Sequence, residues 1–343
     1  MEGKMKSALA IMLAASFATA ALASSESSDA ILRLLNSRSA GSPLRYAQAA
    51  SVVAADAKRG LPLQQFVLAI IAGDPDAPSA ARIPDEQRKA FLEGARPKIK
   101  ALAEKGNAFA RYLLYLESGD VDQLERAAAG GNVQALNSLG TKRLTAALER
   151  PDEPGSRAAM EQAFGFFKRA AATGDANAIN NVGICLMNGY GCERDEAGAL
   201  ECFRKAGESG HPEAVNNEGR FHREGIVVEK SFEAAFNCFR RSAAQGNTWG
   251  QLNYALALMR GEGAPRDVSR ARELLVCIAM KGVPQAMDVL ADLYERGDDG
   301  VEADAMESAV WTVRARAARG DENAAKWLDA NGKRLGKPGG GVK

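Results

Sequence analysis

Five cysteines and two histidines are the side chains most able to do chemistry in this 343-residue chain. Cys185 and Cys192 lie seven apart in the stretch NNVGICLMNGYGCERD, which also carries a Gly-Tyr-Gly turn at 189–191. Such a stretch could hold a redox pair, a phosphate loop or ordinary architecture. No C-x-x-C occurs, so a thioredoxin-type motif is absent. The Gly-Tyr-Gly follows a helical pattern rather than a strand and lacks the Lys-Ser/Thr that a phosphate loop needs. With His211 and His222 as the sole histidines and no H-E-x-x-H, a histidine-rich metal site is not expected. His211, before Pro212 at a turn, is expected to be exposed, and His222 to be a partly buried, satisfied histidine. Neither G-x-S-x-G nor S-x-x-K is present, and the carboxylates do not single out a glycosidase pair. No catalytic, cofactor-binding or metal-binding residue is therefore assigned.

Composition narrows the setting. Lys plus Arg number 44 against 43 Asp plus Glu, a net charge of +1, which gives no electrostatic case for nucleic acid. Aromatics make up only 6% and alanine is abundant, which favours closely packed helices. Two lysines, an uncharged run of small and apolar residues and Ala21-Leu22-Ala23 form a secretory signal pattern. The expectation is an exported protein, periplasmic or extracellular, cleaved after Ala23, with no membrane span afterwards.

The elements that hold these residues repeat. Gly183, Gly219, Ala255 and Ala291 fall at steps of 36, as do the turn glycines Gly189, Gly225, Gly261 and Gly297. Closing glycines at 174, 210, 246 and 282 keep the same step. Each unit reads as helix, glycine turn, helix. The small residue at 183, 219, 255 or 291 is expected where the second helix comes close. Ala199, Cys202, Phe203 and Ala206 form the inward stripe of a second helix, with Ala235, Cys238 and Phe239 equivalent. The second turn glycine is missing at Val227 and Asp299. One hairpin cannot bury its own apolar face, so neighbours must stack.

Organisation follows: a signal peptide at 1–23; a helical region at 24–105 with a degenerate repeat from 60; a solenoid at 106–331; and a disordered Gly/Lys tail at 332–343. Clear units run at about 132–174, 175–210, 211–246, 247–282 and 283–320. The cysteines are odd in number. Cys202 and Cys238 sit at equivalent positions of stacked helices about 8–10 Å apart, too far for a disulfide. Cys185–Cys192, Cys185–Cys202 and free thiols remain the alternatives.

The pattern Ala178-x3-Val182-Gly183-x2-Leu186-x2-Gly189-x-Gly191-x3-Arg194-Asp195, followed by Ala199 to Ala206 and Gly210, resembles a Sel-1-like repeat. Such repeats are cousins of the tetratricopeptide repeat. The resemblance implies an all-α fold, an α-solenoid forming a right-handed superhelix of hairpins. It also implies a non-catalytic protein- or peptide-binding adaptor without cofactor. The alternatives are a regulatory subunit of a cell-envelope enzyme and, further off, a hydrolase on the same scaffold. By analogy with the tetratricopeptide layout, a groove lined by first helices would use Asn180, Ile184 and Asn188; Asn216, Arg220 and Glu224; Leu252, Leu256 and Arg260; and Asp288, Asp292 and Arg296.

Overall fold

A computed structural model describes residue 31 and residues 43–73 and 78–331. The signal segment 1–23 and the tail 332–343 lie outside the described residues. Sixteen α-helices, one 3-10 turn and no strand are found among the described residues. The chain is an all-α solenoid. It divides into two compact units, one ending at His211 and one starting at Pro212.

The first unit holds α1 (Pro43–Lys58), α2 (Pro62–Ile71), α3 (Asp85–Glu104), α4 (Ala108–Ser118), α5 (Val121–Ala129), α6 (Val133–Glu149), α7 (Ser156–Ala171), α8 (Ala176–Asn188) and α9 (Glu196–Glu208). Each helix from α2 to α9 packs on the one before it. One apolar core runs from Ala49 and Phe66 through Ile99, Leu113 and Leu124 to Leu139 and Ala178. The helices of region 24–105 therefore share a core with the repeats that follow. The second unit holds α10 (Pro212–Glu224), α11 (Phe232–Ala244), α12 (Thr248–Arg260), α13 (Val268–Ala279), α14 (Pro284–Arg296), α15 (Ala305–Ala318) and α16 (Glu322–Asn331). A core around Leu252, Leu275, Leu290 and Trp311 is its largest apolar cluster.

Side-chain caps start these helices. Asn132, Asp175 and Asn247 accept from the backbone N–H three residues on, at 2.8, 2.9 and 2.7 Å, and open α6, α8 and α12. Asp195, Ser231 and Asp267 do the same for the second helices α9, α11 and α13. The hairpin turn then needs a left-handed residue. Gly189 and Gly261 supply it at φ +73° and +69°.

The expected close approach has a named partner in each glycine-bearing hairpin. A Cβ on Gly183 would lie 2.8 Å from the Phe203 ring, and one on Gly219 would lie 2.7 Å from Phe239. Gly140 stands to Phe167 in the same way, also at 2.7 Å. In the next two units alanine takes that place as Ala255 and Ala291, and the second helix brings Leu275 and Trp311 to the position of the ring. In α9 the inward stripe buries Ala199, Phe203 and Ala206, whereas Cys202 is half-buried.

The second turn glycine is a backbone joint. A Cβ on Gly263 would come within 2.2 Å of the Phe232 carbonyl oxygen at the start of α11. In the last full unit the left-handed glycine is Gly300, at φ +75°, where an added Cβ would lie 2.6 Å from the Ser269 hydroxyl. The glycine expected at 299 is thus displaced by one residue rather than lost. At 227 it is truly replaced: Val227 holds φ +50° and is 52% exposed.

Candidate partner-binding surface

The twelve groove positions divide sharply by burial. Asn180 and Asn216, expected on an open face, are only 2% and 4% exposed. Leu252 is buried too. This corrects the tetratricopeptide analogy at the first position of three of the four trios, Asp288 alone being exposed there. For Asn216 the reason is local geometry: its side chain meets the first helix of the next repeat. Asn216 of α10 accepts the side-chain N–H of Asn253 of α12 at 2.8 Å. Asn137, which stands in α6 where Asn180 stands in α8, donates to the capping carboxylate of Asp175 at 2.9 Å. Burying an unpaired amide is costly, and for Asn216 the adjacent first helix supplies the partner.

The later positions of each trio reach solvent. In the first unit Asn188 is exposed, with Ile184 half-buried beside it, and the Asn188 side chain donates back to the Ile184 carbonyl at 2.8 Å. In the second unit Arg220 is half-exposed, and Glu224, Arg260, Asp288, Asp292 and Arg296 are exposed. Leu256 supplies a half-buried apolar spot between the charges.

The charges on this face are mutually compensated. Arg220 lies 3.9 Å from Glu224, which also accepts from Arg223 at 3.1 Å. Arg260 lies 3.9 Å from Glu262, and Arg296 pairs with Asp292 one turn back on α14. Asp288 takes a two-pronged contact from Arg319, the residue that follows α15, one prong at 3.1 Å, and this holds the Arg319 proton more firmly than usual. Exposed pairs of this kind contribute little, because solvent and salt screen them. They can therefore exchange for a partner's charges at little cost.

The histidines take other roles. His211 is 3% exposed, not open to solvent as expected. It stands where other units place the capping Asp or Asn, and the closing turn folds its ring inward, with Nε2 3.1 Å from the Asn177 side-chain oxygen. His222 is half-buried, 4.0 Å from Glu218 on the preceding turn of α10. All five cysteines are free thiols. Among the described residues no three Cys, His, Asp or Glu side chains converge as a metal-binding set. Nor is any described helix long and apolar enough to cross a membrane.

Comparison with known proteins agrees with this architecture. The Sel1 repeat family model matches residues 153–175, 176–211, 212–247, 250–283 and 284–318. A Sel1 repeat protein from Oxalobacter formigenes is similar, with 26% identity and a TM-score of 0.52 over 69% of this chain and 91% of that one. A protective antigen present in uropathogenic Escherichia coli strains, displaying an SLR fold, shares the fold at 22% identity. Its TM-score is 0.50, and the alignment covers 84% of this chain and 60% of that one. A comparison with curated proteins returns no match. Four successive matched hairpins and the second helix of the one before them, with capped helices and glycine turns in the same register, identify residues 153–318 as a run of Sel1 repeats.

Proposed function

We propose that this chain is a non-catalytic scaffold that captures a protein or peptide partner through its first-helix face, in the cell envelope or outside the cell. Sel1-repeat proteins typically act as protein-interaction scaffolds. The observation that carries the reading is the run of solvent-facing, weakly paired polar side chains on successive first helices. In the second unit these are Arg220, Glu224, Arg260, Asp292 and Arg296, flanking Leu256. In the first unit Asn188 and Ile184 occupy the matching places. Such a face offers hydrogen-bond donors and acceptors to an extended segment, and specificity arises when exposed pairs exchange partners. The setting outside the cytoplasm rests on the charged, apolar and small-residue pattern of residues 1–23.

The test is photo-crosslinking in the native host with a benzophenone amino acid at 188 or 256, against controls at Arg204 and Arg240 on second helices. The expected result is a discrete adduct from the first-helix positions, diminished by Arg220→Glu with Arg260→Glu at unchanged melting temperature. Adducts from the second-helix positions alone, or capture unaffected by the double reversal, would overturn the assignment of this face.

A further inference from the structure

Three of the five thiols gather in one hairpin. Cys185 is fully buried on α8, in a cluster with Ala163, Phe167 and Val182. Cys192, in the loop after the Gly189 turn, and Cys202 on α9 both pack against that cluster. The loop is folded back on the helix it leaves. Tyr190 N–H donates to the Cys185 carbonyl at 3.0 Å, and Asp195 N–H donates to the Leu186 carbonyl at 2.9 Å. These two bonds bracket Cys192 and hold it against the last turn of α8.

The same geometry separates Cys202 from Cys185. Cys202 faces Gly183, where an added Cβ would lie 3.1 Å from the Cys202 Cβ. Residues two apart on a helix point in nearly opposite directions, about 200° round the axis. Cys202 therefore addresses the face of α8 that Cys185 turns away from.

We propose that Cys185 and Cys192 are a redox pair that closes into a disulfide across the α8–α9 turn when the protein meets a low-molecular-weight disulfide such as oxidised glutathione. Cys192 is the more exposed thiol and reacts first. It loses its proton to solvent, and its thiolate attacks one sulfur of the glutathione disulfide. That S–S bond breaks, and one glutathione leaves as thiolate and takes up a proton. Cys185 then loses its proton and attacks the Cys192 sulfur, displacing the second glutathione as a thiol. Two protein thiols are oxidised by two electrons, and one glutathione disulfide is reduced to two thiols.

The surroundings set the pace. Burial, and then the neighbouring Cys192, push the Cys185 thiol up to about 12. Burial also raises Cys192, with Lys168 of α7 acting the opposite way and Asp195 adding to the rise. Thiolate is scarce at neutral pH, so closure is slow there and speeds up about tenfold per pH unit below the thiol pKa. The hairpin thus responds to sustained oxidation rather than to brief exposure.

Met187 lies between the two cysteines, which makes the test direct. The full chain is incubated with oxidised glutathione at pH 8.5, its remaining thiols are alkylated in denaturant, and it is cleaved with cyanogen bromide. The expected result is that the fragment ending at Met187 and the fragment carrying Cys192 stay joined until reduced, with Cys202 alkylated. The Cys202→Ser variant should close at the same rate, and the Cys192→Ser variant should leave Cys185 alkylatable. Cys202 found in the linkage, or Cys185 still alkylatable after prolonged oxidation of the unmodified sequence, would overturn the proposal. Either outcome is independent of partner capture by the first-helix face.

Discussion

The side-chain amide of Asn253 donates to the side-chain oxygen of Asn216 at 2.8 Å, tying α12 to α10 from one repeat to the next. Asparagines that look like surface recognition groups are thus part of the bond between neighbouring first helices. Asn216→Ala should lower stability by about 1–3 kcal/mol, because it strips a buried group of its partner. Asn188→Ala should change it by less than about 0.5 kcal/mol, since Asn188 is exposed and bonds only to the preceding turn. Urea unfolding of the two variants side by side checks this. Equal effects would place both residues in the same class.

The Gly219–Phe239 contact predicts a coupled pair. Gly219→Ala alone should destabilise by about 1–2 kcal/mol, as the new methyl meets the ring 2.7 Å away. In a Phe239→Leu background the same change should be neutral or stabilising, because alanine otherwise gains about 1 kcal/mol over glycine in a helix. The next unit already carries this combination as Ala255 and Leu275. A double-mutant cycle that closes additively would refute the contact.

Val227 is a β-branched residue at φ +50° with half its surface in water. A left-handed conformation costs an L-residue about 1–2 kcal/mol, and glycine gives back part of that relief in chain entropy. Val227→Gly should therefore raise stability by about 0.5–1 kcal/mol, read as a higher urea midpoint at unchanged slope. A lower midpoint would mean that the valine side chain stabilises the turn.

Gln64 sits in the core of the first unit, 0% exposed, with both side-chain polar atoms lacking a partner among the described residues. Burying an unpaired amide costs about 1–3 kcal/mol by mutational measures. Gln64→Leu, of similar volume and fully apolar, should stabilise the chain by about that amount, seen as a rise in melting temperature. A fall would show that the amide has an acceptor or donor in the folded protein.

Much of this architecture was legible in the sequence because glycine spacing records turns and close contacts that glycine meets with least strain. Gly183, Gly189, Gly219 and Gly225 gave both the period and the hairpin order, and the structure adds the rings of Phe203 and Phe239 as the cause of the tightest positions. The surface was less legible. Side-chain type could not tell Asn188, which faces solvent, from Asn180 and Asn216, which do not, because burial there depends on the neighbouring helix. His211 was misplaced for a similar reason: Asn177, 34 positions earlier, receives its ring inside a turn that looks like surface punctuation. The one-residue shift from 299 to 300 escaped a fixed-period alignment, although the glycine itself was in view.

The exchange of ring for methyl between one hairpin and the next has an evolutionary corollary. Positions 183 and 203, like 219 and 239, meet across the hairpin, so a change of size at one bears on the other. Drift at these sites should proceed in correlated steps, and a repeat copied or grafted elsewhere in the array carries its own answer with it. Duplication of whole hairpins is then an easier route to a longer array than substitution within one, and the combinations found here, glycine with phenylalanine, alanine with leucine and alanine with tryptophan, are the variants such a process would shuffle.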